Sequence, residues 1–200
     1  MIYPGPHPDP PRDLADLTPA IYVTRQSWFR IYPIDREPLY FGRAINNRFD
    51  APGGEYGVLY LAQNEHCAFI ETFGQLTGLR AVTASSLSAK GLARIDTTRE
   101  IKLIDLVCTG GLARIAADGR LCDGDHQIAR TWSKALRNHP SQPDGLYYRA
   151  RHDPALTACA LYDHVADALT TSKLGALSDP RNANVLADIL ERYRFSVIPG

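Results

Sequence analysis

Three residues carry the chemistry most readable in this 200-residue chain. They are Arg48 in Asn46-Asn47-Arg48-Phe49-Asp50, Tyr60 in the apolar run Tyr56 to Ala62, and Glu71 in Ala68-Phe69-Ile70-Glu71. Their spacing places an arginine, a tyrosine and a glutamate on three successive elements: a turn, a strand and a helix. A cationic donor and a carboxylate set out in this way can bracket a substrate that is anionic at one end and becomes cationic at the other. Arg30 joins them as a fourth candidate. It sits among Trp28, Phe29, Ile31 and Tyr32, and an arginine amid such neighbours needs a carboxylate or phosphate partner, because burying it unpaired is costly.

Each of these residues also has a plainer reading. Arg48 by default is a loop arginine, and Tyr60 is core, with a hydroxyl that needs a partner if buried. On the helix that Asn64 caps, Phe69, Ile70, Phe73 and Leu76 form the apolar stripe. Glu71 falls beside Gln75 and Cys67, away from it. Periodicity reads it as a solvated residue. The alternative is that this polar face lines a cleft, with Gly74 leaving room for a ligand. Gly53 and Gly54 read as a tight turn. Asp123-Gly124-Asp125-His126 reads as an acid-rich helix start and not as metal ligands. In His152-Asp153 and Asp163-His164 the neighbours point apart, so surface or capping roles fit both pairs. No G-x-x-x-x-G-K-S/T loop, G-x-S-x-G elbow or H-E-x-x-H stretch is present.

The elements that must position these residues follow from pattern. Residues 1–19, with Pro4, Pro6, Pro8, Pro10 and Pro11, form an arm that is extended or loosely attached. Residues 20–200 form one domain. Ile21 to Val23 and Trp28 to Tyr32 read as short strands, residues 33–57 as turns, and Tyr56 to Ala62 as a buried strand. A helix follows from Asn64 to about Gln75. Residues 83–91 read as a surface loop, and Ile101 to Val107 as a strand. Asp125 caps a helix to about Arg137. Leu146 to Arg151 and Leu156 to Tyr162 read as strands, Asp163 starts a short helix, and Val185 to Tyr193 is amphipathic. Phe195 to Ile198 closes the chain as a strand. Strands and helices without a βαβ rhythm indicate an α+β fold, a single mixed domain.

Composition narrows the function classes. Lys+Arg and Asp+Glu both number 22, so nothing suggests a nucleic-acid surface. Cys67, Cys108, Cys122 and Cys159 form no Cys-x-x-Cys pair, which argues against structural zinc and a disulfide framework. Buried free thiols in a cytoplasmic protein are the expected state. The N-terminal stretch lacks the basic and apolar regions of a signal peptide, and no segment approaches membrane-spanning length.

Taken in order, these stretches resemble the RES-domain family, named for an Arg-Glu-Ser set. The resemblance runs from about Trp28 to Tyr162 and is densest over Asn47–Glu71. It is supported by Ile104-Asp105-Leu106, Gly111 to Arg114, Ile128 to Trp132 and Asp144 to Tyr148. It implies an α+β fold related to ADP-ribosyltransferases and a pocket for NAD. The implied activity is that of a toxin–antitoxin toxin, an NAD phosphorylase using phosphate as co-substrate. A protein ADP-ribosyltransferase or a weakened nucleotide-binding module is the alternative. The implied partner is an Xre-type antitoxin, and a homodimer is left open. No metal is implied. Residue by residue, Arg30 and Arg48 hold the pyrophosphate, Tyr60 packs on or hydrogen-bonds the ribose, and Glu71 stabilises developing positive charge. The family's serine falls on Ala150, with Thr157 or Ser133 as substitutes in space. One lost neutral hydrogen bond is worth about 0.5–1.5 kcal/mol, or roughly threefold to tenfold in rate.

Overall fold

A computed structural model describes residues 5, 7–76 and 78–199. Pro4 and Pro6 of the arm lie outside the described residues. An eight-stranded mixed sheet organises the chain. Its strands are β1 (Ile21–Thr24), β2 (Ser27–Pro33), β3 (Val58–Ala62), β5 (Lys90–Thr97), β6 (Ile101–Asp105), β7 (Gly145–Arg149), β8 (Thr157–Tyr162) and β9 (Leu169–Ala176). Their order is β1-β6-β7-β8-β3-β2-β5-β9, antiparallel except for β6 and β7. A short parallel pair joins β4 (Ala81–Thr83) to β10 (Ser196–Ile198). The helices are α1 (Glu65–Phe73), α2 (Ala84–Ser88), α3 (Gly111–Arg114), α4 (Arg120–Asp123), α5 (His126–Arg137) and α6 (Ala183–Tyr193). The mixed α+β expectation holds. No described helix is long and apolar enough to cross a membrane.

Alternation along β3 builds two cores at once. Leu59 and Leu61 enter one apolar cluster with Trp28, Tyr32, Ile95 and Leu103. Val58 and Tyr60 face the other, with Phe49, Trp132, Leu146 and Tyr162, as a period of two requires. The weak point is the junction of β2 with β3. These strands meet at one register pair, Phe29 opposite Ala62. At its other end β3 is bridged by Gly42 opposite Val58, which exchange both backbone hydrogen bonds. Tyr60 lies midway and turns its backbone N–H and C=O toward the same side. There, in place of a ladder partner, the sheet opens into a cavity.

Helix α1 spans that opening. Asn64 caps it by accepting the Cys67 N–H at 2.9 Å. Its buried residues are Cys67, Ala68, Phe69 and Ile70. Leu76, expected in the stripe, lies past the helix end and is 66% exposed. Helix α5 starts at the Asp125 cap, which accepts the Gln127 N–H at 2.6 Å. It buries Ala129, Trp132, Ser133 and Leu136.

Two expectations are corrected. Residues 83–91 are not a surface loop. They hold α2, capped by Thr83, and the start of β5, which pairs with both β2 and β9. The segment from residue 7 is docked, not loosely attached. His7 is buried and meets Trp132 edge-on at 5.2 Å. Trp132 Nε1 donates to the Pro8 carbonyl at 2.8 Å, and the Asp118 N–H donates to His7 Nε2 at 3.2 Å. Leu14 enters the core. The prolines leave this stretch without ladder hydrogen bonds, and side chains of the domain supply its contacts instead. Of the four free cysteines, Cys67 and Cys159 are buried and Cys108 is exposed.

Candidate active site

The opening between β2 and β3 is a cavity of about 440 Å³. Arg30, Arg48, Tyr60 and Glu71 all line it, so residues 41 positions apart in sequence share one cleft. Glu71 is half-buried on its wall and not turned to open solvent, which corrects the reading from periodicity. Helical spacing only says that a residue faces away from the core; here the face away from the core is covered by the end of β7 and the turn beyond it. The Glu71 Oε1 accepts the backbone N–H of His152 at 2.9 Å. No hydrogen bond reaches Oε2 among the described residues. The carboxylate is therefore aimed by one backbone donor and retains an oxygen for a ligand. Gly74 does not make room for that ligand. A Cβ there would meet the Ile70 carbonyl and, at 3.2 Å, the His152 ring, so the bare position accommodates His152.

Arg48 is held by its loop. The buried Asp50 carboxylate accepts the N–H groups of Asn46 and Asn47 at 2.9 and 2.8 Å and the Asn47 amide at 3.3 Å. Its second oxygen accepts the Tyr60 hydroxyl at 3.0 Å, and that hydroxyl in turn accepts the Phe49 N–H at 2.9 Å. Helix α5 closes the loop from the far side, with Arg130 Nε donating to the Asn47 carbonyl at 3.0 Å and Ser133 Oγ to the Phe49 carbonyl at 2.7 Å. Arg48 donates to the Gly124 carbonyl at 2.7 Å through one guanidinium nitrogen. Burial, and then the like charge of Arg151, lower its pKa, opposed by Cys122 and Asp123. The turn of Gly53-Gly54 behaves as expected: Gly54 has φ of +71° and its N–H returns to Ala51.

The candidates differ in how free they are. Tyr60 presents its ring to the cavity, but its hydroxyl is fully engaged with Asp50 and Phe49. Arg30 lines the cavity, yet one guanidinium nitrogen is committed to the carbonyls of Pro38 and Tyr40. Burial lowers its pKa to about 10, so it remains charged at neutral pH. Thr157 and Ser133 do not replace a hydroxyl at position 150. Thr157 bonds Gln63 and Tyr147, and Ser133 is buried against Phe49 and Tyr56. Ala150 itself is 1% exposed and packs with Ala62, Ala68 and Ala158.

Sequence reasoning missed Asp50, His126, Tyr148, Arg149, Arg151 and His152. All but Asp50 line the cavity. Four arginines against Glu71 give the cleft a cationic balance suited to a phosphate-bearing ligand. His126 sits beside Arg48, Arg130 and Arg151, and burial followed by these charges lowers its pKa below the usual 6.5. Tyr148 rises well above the usual phenol value through burial and the nearby Glu71, so it stays a neutral donor. The run Arg149-Ala150-Arg151 carried one signal in sequence, two arginines bracketing the position of the family serine.

A RES-domain family model matches residues 23–180. The chain is 28% identical over 115 residues to a probable toxin, y4kH, of Sinorhizobium fredii, covering 57% of this chain and 87% of that one. The fold is similar to that in the crystal structure of the M. tuberculosis MbcT–MbcA toxin–antitoxin complex, with a TM-score of 0.56 and 15% identity. That match covers 78% of this chain and 87% of the other.

Proposed function

The chain belongs to the RES domain family, and from that premise we propose that it is a toxin-like enzyme that cleaves the nicotinamide–ribose bond of NAD with phosphate as acceptor. The observation that carries the reading is the free oxygen of Glu71 inside a cavity whose other charged side chains are arginines. Arg48, aided by Arg151, holds the pyrophosphate through charge-assisted hydrogen bonds. The Tyr60 ring packs on the nicotinamide ribose. As the glycosidic bond breaks, its electron pair leaves with the nicotinamide ring nitrogen, and C1 of the ribose gains oxocarbenium character. The Glu71 carboxylate lowers the energy of that cation. A phosphate oxygen then bonds C1, giving nicotinamide and ADP-ribose 1″-phosphate. The relation to the ADP-ribosyltransferase fold, a cytoplasmic location and an Xre-type antitoxin partner belong to the same reading. The likeness to one half of a toxin–antitoxin complex supports the partner.

The test is nicotinamide release from NAD by antitoxin-free protein, with and without phosphate. Phosphate-dependent release is the expected result; no release in either condition overturns the reading. Release that requires an added protein acceptor and labels it would select the ADP-ribosyltransferase alternative. Ala150 at the serine position favours one second reading, a module that binds NAD without turning it over. Calorimetric binding with no product would select it.

A further inference from the structure

A second hollow of about 470 Å³ adjoins the first cavity. The two share Cys122, Arg149 and Arg151 as a common wall. The second hollow has a different chemical character. Leu106, Val107, Leu112, Ala113 and Pro154 give it apolar surface, and Asp123 supplies one carboxylate at its edge. The intervening arginines are short of partners. Arg149 donates through one nitrogen to the Pro154 carbonyl at 3.0 Å, and Arg151 makes no hydrogen bond or ion pair among the described residues.

We propose that this second hollow is the adenosine subsite of the enzyme, and that Arg149 joins Arg48 and Arg151 in the bridge over which the pyrophosphate of the dinucleotide lies. The inference rests on the reading of NAD as substrate. A dinucleotide is two nucleosides joined by a doubly charged linker, so it needs two rooms with cationic side chains between them. Each room has a volume within the roughly 300–1,000 Å³ usual for small-molecule sites. The apolar walls suit the faces of a purine ring, and a carboxylate at the edge can accept hydrogen bonds from the ribose hydroxyls. The first cavity, with Glu71, then receives the nicotinamide half. Recognition is divided: the arginines read any phosphate, whereas the second hollow distinguishes a dinucleotide from a mononucleotide.

The test compares NAD with nicotinamide mononucleotide as substrates for the wild type and for Ala113→Trp. Ala113 is exposed on the hollow's wall, so the indole fills the room without entering the core; an unchanged melting temperature and circular dichroism spectrum check this. The wild type is expected to prefer NAD in kcat/KM by at least tenfold. Ala113→Trp is expected to raise the KM for NAD about tenfold relative to that for the mononucleotide, and so erase the preference. Arg151→Gln is expected to weaken both substrates together. Equal use of the two substrates by the wild type, or an unchanged KM for NAD in Ala113→Trp, overturns the subsite. If neither substrate releases nicotinamide, the proposed function falls, and the subsite is judged separately by titrating AMP. Binding that Ala113→Trp abolishes keeps it, and absent or unaffected binding removes it.

Discussion

Replacing Tyr60 by phenylalanine separates a strut from a substrate contact. The ring stays on the cavity wall, and only the hydroxyl is lost. That hydroxyl donates to the Asp50 carboxylate at 3.0 Å and accepts from the Phe49 N–H at 2.9 Å, and Phe49 and Asp50 are both buried. A hydrogen bond to a charged group is worth about 1.5–3 kcal/mol, and a buried donor left unpaired costs about 1–3 kcal/mol. The two belong to one network and do not simply add, so the expected destabilisation is about 2.5–4 kcal/mol. For a chain of this size each kcal/mol moves Tm by about 2–4 °C, giving a fall of roughly 5–15 °C. Urea unfolding should show a lower midpoint with unchanged slope. Steady-state nicotinamide release, measured well below the new Tm, should show a KM raised up to about tenfold as the loop carrying Arg48 loosens, with kcat little changed. Wild-type stability combined with a large loss of kcat would refute the argument. It would mean that the hydroxyl touches the substrate.

Glu71→Gln keeps an oxygen for the His152 N–H and removes only the charge, so it should fold normally and lose about 10²–10³ in kcat, the scale of one electrostatic stabiliser; retained activity in the release assay would remove Glu71 from its role. Arg48→Ala should raise the KM for NAD by about 10–100-fold, from the 1.5–3 kcal/mol of a charge-assisted contact, with a small change in Tm. Ala150→Ser places a hydroxyl in an apolar cluster, where an unmet hydrogen bond costs about 1–3 kcal/mol; a drop in Tm without faster turnover is expected, whereas a threefold or greater rise in kcat at constant Tm would show that a serine there can still reach the chemistry. His126 has a pKa lowered from 6.5 in the folded state, so below 6.5 the unfolded chain takes up a proton more readily and stability falls with acidification. His126→Asn should remove part of that loss in urea titrations between pH 7 and pH 5, and the wild-type dependence would persist if another group causes it.

Local chemistry was readable in sequence and long-range convergence was not. Asn64 and Asp125 announced α1 and α5 because caps are decided within four residues. Strand β5 was hidden because Lys90, Gly91, Ala93 and Arg94 have little strand preference; it forms because β2 and β9 flank it on both sides, a tertiary effect that overrides propensity. Glu71 was ambiguous for a related reason. Its helical position was legible, but whether solvent or the chain near His152 stood opposite depended on contacts 81 residues away. Nothing in the sequence singles out Asp50, since its role depends on Tyr60 reaching back from the next strand. Arg149 and Arg151 read as strand-end residues until the end of β7 met the turn that carries Arg48.

The single register pair between β2 and β3 also divides the molecule mechanically. On one side, β1, β6, β7, β8 and β3 are knitted by ladders of three or more register pairs; on the other, β2, β5 and β9 are, with one irregularity at Leu92/Ala93. The seam between them runs through the cleft, where few sheet hydrogen bonds cross it and the shared apolar cluster of Trp28, Tyr32, Leu59 and Leu61 joins the two groups instead. The sheet is therefore least cross-linked by backbone hydrogen bonds beside the cleft in which the proposed substrate binds, and side-chain packing carries the join. Amide exchange should register the seam as the first boundary to open, with the two strand groups retaining their protection on either side.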